Sequence, residues 1–160
     1  MDYSNFSILI IDDEAPYRKF IKLVIEKNLK CQVFEAKNPK DAFVFLDEND
    51  VSLILLDMQM PIMDGLTALK ILRDTIKTHD TAVIACTALS NADLLVKLFK
   101  LNISDYILKP AMEKTVISKI CKVLDKVALG SIAEKSENPT VNVVPEETSK
   151  SPEGNLAEEN

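Results

Sequence analysis

Residues 53–65 read LILLDMQMPIMDG, four apolar residues that run into an aspartate and then into a Met-Pro step and an Asp-Gly turn. An apolar run of this length is typical of a strand that is buried on both faces of a parallel sheet. Asp57 ends that run at a position where an unpaired charge would be costly. The stretch therefore predicts a buried strand that carries a carboxylate to the edge of a sheet.

Similar apolar runs recur along residues 5–128 and alternate with segments of helical period. Tyr17, Phe20, Ile21 and Val24, for example, recur at the spacing of one helix face. Short connections and two-faced apolar strands favour a doubly wound α/β fold with a parallel sheet. The predicted strands are FSILII (6–11), CQVFEA (31–36), SLILLD (52–57), TAVIAC (81–86) and SDYILK (104–109).

The charge of the chain is unevenly distributed. Of a net charge of −6, the segment 130–160 contributes −5, from seven acidic and two basic residues. This segment is rich in Ser, Glu, Asn and Pro, so it cannot bury enough apolar surface to offset the entropy of ordering. We therefore predict a folded domain over residues 1–129 and a disordered acidic tail over 130–160. The nearly neutral domain does not favour direct binding of nucleic acid.

The composition also bears on location and redox state. No window approaches the roughly 18 uninterrupted apolar residues of a membrane span, and the start MDYSNFSILIIDDE lacks the basic residues of a secretory signal. We predict a cytoplasmic protein that does not insert into membranes. The three cysteines, Cys31, Cys86 and Cys121, lie far apart among apolar residues, which indicates reduced thiols packed in a core.

Polar residues stand at the carboxyl ends of four predicted strands. Asp12 and Asp13 follow the first strand, Asp57 ends the third, Thr87 follows the fourth and Lys109 ends the fifth. Ligands of doubly wound sheets bind at this edge. Carboxylates crowded there would repel one another unless they were protonated or bridged by a cation. Oxygen ligands on an open rim suit Mg²⁺, which keeps several of its waters.

Each of these residues also has a purely structural interpretation. An aspartate at a strand end is commonly a helix cap, Thr87 could cap the next helix, and Lys109 could be a solvated charge. The common register of all five across successive strand-helix units favours one shared site instead.

The motifs DDE (12–14), LLDMQMPIMDG (55–65), CTA (86–88) and LKP (108–110) closely resemble those of the receiver domain of two-component response regulators. The resemblance covers about residues 5–127. It implies a flavodoxin-like five-stranded sheet of order 2-1-3-4-5 and a cis peptide bond between Lys109 and Pro110. No recognisable effector module follows Leu129, so we expect a stand-alone receiver similar to the chemotaxis regulators.

The resemblance also implies roles for individual residues. Asp57 is expected to be the phosphoacceptor. Mg²⁺ is expected to bind to Asp13, Asp57 and the backbone carbonyl of Gln59, with Asp12 assisting through water. Thr87 and Lys109 are expected to contact the phosphoryl oxygens, and Thr87 and Tyr106 to act as switch residues.

The implied function is transfer of a phosphoryl group to Asp57 from a histidine kinase or a histidine phosphotransfer protein acting in trans. The product would switch the binding of an unknown downstream protein, with residues 90–101 and 104–109 as the candidate surface, or would relay the phosphoryl group onward. The chain is not expected to be an enzyme beyond its own phosphorylation and dephosphorylation.

Two alternatives stay open at this point. A phosphatase similar to the haloacid dehalogenases would use Asp57 as nucleophile, but those enzymes usually have a second aspartate where Gln59 stands. A constitutive interaction module, which is never phosphorylated, is disfavoured by the complete acidic site.

Overall fold

A computed structural model describes residues 2–88 and 91–136 of the chain, with side chains described up to residue 130. Strands and helices alternate along the described ranges. The strands are β1 (Ser7–Ile11), β2 (Gln32–Ala36), β3 (Leu53–Asp57), β4 (Ala82–Thr87) and β5 (Asp105–Leu108). The helices are α1 (Ala15–Leu29), α2 (Pro39–Glu48), α3 (Gly65–Asp74), α4 (Ala92–Lys100) and α5 (Glu113–Ser136).

Five parallel strands form the sheet within the described residues, in the order β2-β1-β3-β4-β5. Both the predicted doubly wound class and the predicted strand order are confirmed. β3 lies in the middle of the sheet, and every residue from Leu53 to Asp57 is buried. The observed strands lie within the predicted ones, except that β4 continues to Thr87.

An apolar core covers each face of the sheet. On one face, α1 and α5 pack against the sheet through residues such as Ile21, Ile25 and Ile120. On the other face, α2, α3 and α4 pack through residues such as Leu46, Leu69 and Leu98. Because both faces are covered, polar groups of the central strands are accessible to ligands only at the strand ends.

Local signals in the sequence account for several helix ends. Asn38 caps α2, with its side chain accepting a hydrogen bond from the backbone N–H of Asp41 at 2.8 Å. Asn102 adopts a left-handed φ of 56° after α4, a conformation that asparagine tolerates better than most residues other than glycine. Asn91 caps α4, with its side chain accepting hydrogen bonds from the N–H groups of Asp93 and Leu94.

The last helix extends beyond the predicted domain boundary. α5 runs to Ser136, so residues 130–136 continue the helix instead of beginning the predicted tail. Glu, Lys and Ala are good helix formers, and a helix that has already begun is inexpensive to extend. The predicted disorder of residues 137–160 falls outside the described residues. Among those described, no helix is both long and apolar enough to cross a membrane.

Candidate functional site

Strand register brings three aspartates together at the carboxyl edge of the sheet. β1 and β3 pair Ile11 with Leu56, so Asp12 and Asp57 are the next residues on two neighbouring strands. Asp13 follows Asp12, and one carboxylate oxygen from each of the three aspartates lies within 4.8 Å of the others. The predicted acidic cluster is therefore present.

The other two predicted residues reach the same edge from β4 and β5. Thr87 ends β4 and is fully buried. It pairs with Leu108, which places Lys109 directly after the paired region, and the backbone N–H of Lys109 donates to the carbonyl of Thr87 at 2.8 Å. The Lys109–Pro110 peptide bond is cis, as expected.

Lys109 joins two of the aspartates. Its Nζ donates to Asp12 Oδ2 at 2.6 Å and to Asp57 Oδ1 at 3.0 Å. Its side chain is 12% exposed, and both aspartate side chains are 2% exposed. One partly buried ammonium thus offsets part of the charge of two buried carboxylates. Such charge-assisted hydrogen bonds are stronger than those between neutral groups.

Burial governs the pKa values of Asp57 and Lys109. Desolvation raises the pKa of Asp57 above its ordinary value, and the neighbouring charge of Asp12 adds to that rise, while the hydrogen bond from Lys109 opposes it. Burial alone would lower the pKa of Lys109, but the hydrogen bonds and charges of Asp12 and Asp57 outweigh it and raise that pKa. Lys109 therefore stays protonated, and any further cation nearby would stabilise the charged form of the Asp57 carboxylate.

Asp12 is held in place from several directions. Its Oδ1 accepts from the backbone N–H of Glu14 at 2.8 Å, and its carbonyl oxygen accepts from Arg18 Nη1 at 2.8 Å. Its own N–H donates to the carbonyl of Ala36 at 3.2 Å. These bonds leave the exposed Asp13 as the less constrained carboxylate of the cluster.

The donor set fits the predicted cation. Asp12, Asp13 and Asp57 supply only carboxylate oxygens, which are hard ligands of the type that Mg²⁺ prefers. Asp13 is exposed, so the cluster has an open side where a metal ion can keep its waters. Gln59 is exposed in the loop after β3, and its backbone opposes the rise in the pKa of Asp57. The role of its carbonyl oxygen stays a prediction.

The predicted output surface lies on α4 and β5. Tyr106 is half-buried, and its ring makes an edge-to-face contact with Phe99 at a centroid distance of 6.3 Å. Leu98 is buried, whereas Val96 is 54% exposed and Phe99 is 52% exposed. The apolar residues of α4 therefore form more than the one stripe that packs on the sheet.

Sequence reasoning missed three residues that shape the site. Tyr17 was recognised only as part of a helical period, yet its ring lies under the Lys109 ammonium. Arg18, one residue further, anchors the Asp12 carbonyl. Gly65 packs against the backbone of residues 57 and 58. The Asp-Gly step in the sequence indicated a turn, but only the packing of α3 shows that position 65 has no room for a side chain.

Comparison with known proteins agrees with this geometry. A family model described as the response regulator receiver domain matches residues 8–121. The transcriptional regulatory protein SrrA of Staphylococcus aureus is 32% identical over 130 residues, covering 81% of this chain and 52% of SrrA. The chain thus spans about half the length of the curated relatives it matches.

Solved structures show the same fold. The receiver domain of the Francisella response regulator 1452 is 29% identical, with a TM-score of 0.69 over 76% of this chain and 98% of that one. The chemotaxis protein CheY4 of Vibrio cholerae is 18% identical, with a TM-score of 0.70 over 74% of this chain and 98% of CheY4. At that identity the likeness to CheY4 concerns the fold alone.

Proposed function

The chain belongs to the response regulator receiver domain family of two-component systems, and on that premise we propose that Asp57 accepts a phosphoryl group in a Mg²⁺-dependent reaction. The donor is a histidine kinase or a histidine phosphotransfer protein. The observation that carries the proposal is the meeting of a buried carboxylate with two further aspartates and one partly buried lysine at the edge of the sheet.

We propose that the donor acts in trans. His79 is the one histidine of the sequence. It lies between α3 and β4, before the amino end of β4, whereas Asp57 lies at the carboxyl end of β3. Its Nδ1 is 2.6 Å from the carbonyl oxygen of Ile76, and its Nε2 is 2.8 Å from Asp80. The histidine thus belongs to the opposite end of the parallel sheet.

The chemistry needs positioning more than a strong base. One carboxylate oxygen of Asp57 attacks phosphorus while the bond from phosphorus to the donor nitrogen breaks, and the bonding pair leaves with that nitrogen. The Lys109 ammonium stabilises charge on the transferred phosphoryl oxygens, and Thr87 offers its hydroxyl to the same group. Bound Mg²⁺ supplies further positive charge, and Asp12, Asp13 and Asp57, with the Gln59 carbonyl, are the residues that would hold it.

The product is an acyl phosphate, which water can hydrolyse, so the modification is temporary. We propose that the chemistry of the chain is confined to its own phosphorylation and dephosphorylation, without turnover of an external substrate. Gln59 supports this view, because the rival phosphatases usually have a second aspartate at that position.

We propose that the phosphorylated chain is recognised by a downstream protein through the surface of α4 and β5. Phosphoryl oxygens on Asp57 would attract the Thr87 hydroxyl, and Thr87 lies a few residues before α4. Movement there alters the packing of Phe99 on Tyr106 and so changes the exposed apolar surface of α4. Either a downstream protein reads this surface or the phosphoryl group is relayed onward. The stand-alone organisation and the cytoplasmic location stay predictions.

A labelling experiment tests the proposed function. The full chain is incubated with acetyl phosphate in the presence of Mg²⁺ or of EDTA, and its intact mass is measured. We expect a gain of one phosphoryl group that depends on Mg²⁺ and that is lost in Asp57→Asn. Asp105→Asn serves as the control, because Asp105 starts β5 away from the acidic cluster and bonds Lys119 instead. Labelling that persists in Asp57→Asn would overturn the proposal.

A further inference from the structure

One aromatic ring forms part of the wall of the acidic site. Tyr17 lies in the first turns of α1, and the Nζ of Lys109 stands 4.2 Å from the centroid of its ring. This distance is well within the range in which an ammonium group is attracted to the face of an aromatic ring. The contact joins the helix after β1 to the segment after β5, which are far apart in the sequence.

The ring completes an enclosure around the ammonium. Two sides are formed by carboxylate oxygens, from Asp12 at 2.6 Å and from Asp57 at 3.0 Å, and a third by the Tyr17 ring. The Lys109 side chain is consequently only 12% exposed. Lysine has a flexible four-carbon stem, so its ammonium stays in one place only where its surroundings restrain it.

The hydroxyl of Tyr17 does not explain the presence of this residue. Among the described residues, the hydroxyl oxygen is buried and has no hydrogen-bond partner. A buried hydroxyl without a partner is destabilising. The pKa of Tyr17 is raised, first by burial and then by nearby acidic groups that include Asp12 and Asp57, so the hydroxyl stays protonated. The favourable contact of this side chain with the site is made by its ring.

We propose that the Tyr17 ring is a positioning element for Lys109, holding the ammonium at the edge of the sheet while the carboxylates take up other partners. This inference rests on the proposed function. A cation bound to Asp12 and Asp57 would compete with Lys109 for the charge of the same two carboxylates, and an incoming phosphoryl group would occupy Asp57 as well. Of the three groups around the ammonium, the ring is the one that neither a metal ion nor a phosphoryl group engages.

The first test needs no phosphorylation. Protons on the Lys109 side chain next to the ammonium lie over the ring, so their NMR signals are displaced upfield by the ring current. We expect this displacement in the wild type and in Tyr17→Phe, which keeps the ring, and its loss in Tyr17→Leu. Phe20→Leu is the matched control, because it removes a neighbouring ring of the same helix, whereas the ring contact of the ammonium is with Tyr17.

The second test measures the rate of phosphorylation by acetyl phosphate at saturating Mg²⁺. A cation–π contact of ordinary strength corresponds to a rate loss of roughly 2- to 30-fold in Tyr17→Leu. Tyr17→Phe and Phe20→Leu are expected to match the wild type. Amide spectra of each variant verify that it is folded, and Tyr17→Phe keeps the proposal testable if Tyr17→Leu does not fold.

The outcomes separate this inference from the proposed function. If the wild type is not labelled at all, the proposed function fails, while the NMR comparison still reports on the contact of ring and ammonium. If the wild type is labelled but Tyr17→Phe is as slow as Tyr17→Leu, the hydroxyl carries the effect and the inference is overturned. Unchanged Lys109 signals and an unchanged rate in Tyr17→Leu would overturn it too.

Discussion

Replacing Gly65 by alanine probes how the strand that carries Asp57 is held. Gly65 is the first residue of α3, and its N–H donates to the carbonyl of Met58 at 3.2 Å. A Cβ at this position would lie 2.6 Å from the Cα of Met58 and 2.6 Å from its Cε, and it would also overlap the carbonyl oxygen of Asp57. The methyl group of Met58 can rotate away, but the two backbone atoms cannot move without displacing Asp57 or α3.

The expected cost is that of overpacking a buried contact, about 1 to 3 kcal/mol of unfolding free energy. Gly65 does not have a left-handed φ, so the cost is steric instead of conformational. Gly130→Ala is the matched control: nothing lies within 4 Å of its added Cβ, and Gly130 is inside α5. There, alanine should stabilise the protein by about 0.5 to 1 kcal/mol, since it favours helix more than glycine does.

Urea unfolding followed by circular dichroism gives both free energies. The Mg²⁺-dependent labelling rate shows in addition whether Asp57 has moved. We expect Gly65→Ala to be less stable and slower to label, and Gly130→Ala to be at least as stable as the wild type and labelled at its rate. A Gly65→Ala protein that equals the wild type in both measurements would refute the packing argument.

Three further predictions follow from other contacts. Arg73→Met should lower the unfolding free energy by about 2 to 4 kcal/mol, because the guanidinium donates to four backbone carbonyls, and these bonds join α3 to the segments before β4 and after α4. A wild-type urea midpoint in Arg73→Lys would contradict this, since one ammonium cannot replace the planar guanidinium with its several donors. Asp13→Ala should weaken Mg²⁺ binding, measured by titration calorimetry, by on the order of tenfold. The loss should exceed that of Asp12→Ala, because Asp12 is already bonded to Lys109. Equal Mg²⁺ affinities of Asp13→Ala and the wild type would refute the assignment of Asp13 as a ligand. Burial raises the pKa of Cys86 from 9.0 to about 12, so between these pH values only the unfolded chain releases the thiol proton, and stability falls as pH rises. The stability advantage of the wild type over Cys86→Ala should therefore shrink by roughly 1.4 kcal/mol from below pH 9 to pH 10. A difference that stays constant with pH would contradict the raised pKa of Cys86.

The sheet could be predicted from the sequence because burial on two faces leaves a clear pattern. Apolar runs such as LILLD can be buried on both sides only in a parallel sheet with helices on both faces. The strand order β2-β1-β3-β4-β5 of that sheet places residues 12, 57 and 109 at one edge. The carboxylates were therefore predictable as a group. Their hydrogen bonds with Lys109 follow from the same register.

The features that escaped prediction depend on contacts between distant segments. Tyr17 fits a helical period whether or not a lysine lies above it, and the bonds of Arg73 to four carbonyls are made after the loops have taken their shape. The end of α5 at Ser136 shows a different limit, because the change in composition near Gly130 did not coincide with the end of the helix. Composition describes the cost of ordering a segment, not the extent to which a helix already formed continues into it.

The most direct test of the central claim locates the phosphoryl group. The full chain is treated with acetyl phosphate and Mg²⁺ and then reduced with borohydride, which converts an aspartyl phosphate into homoserine, and the peptides are sequenced by mass spectrometry. We predict homoserine at position 57, Mg²⁺-dependent and missing in Asp57→Asn, with residues 12 and 13 unmodified. Homoserine at position 12 or 13, or a stable phosphate on a serine or threonine in place of homoserine, would contradict the assignment of Asp57 as the phosphoacceptor.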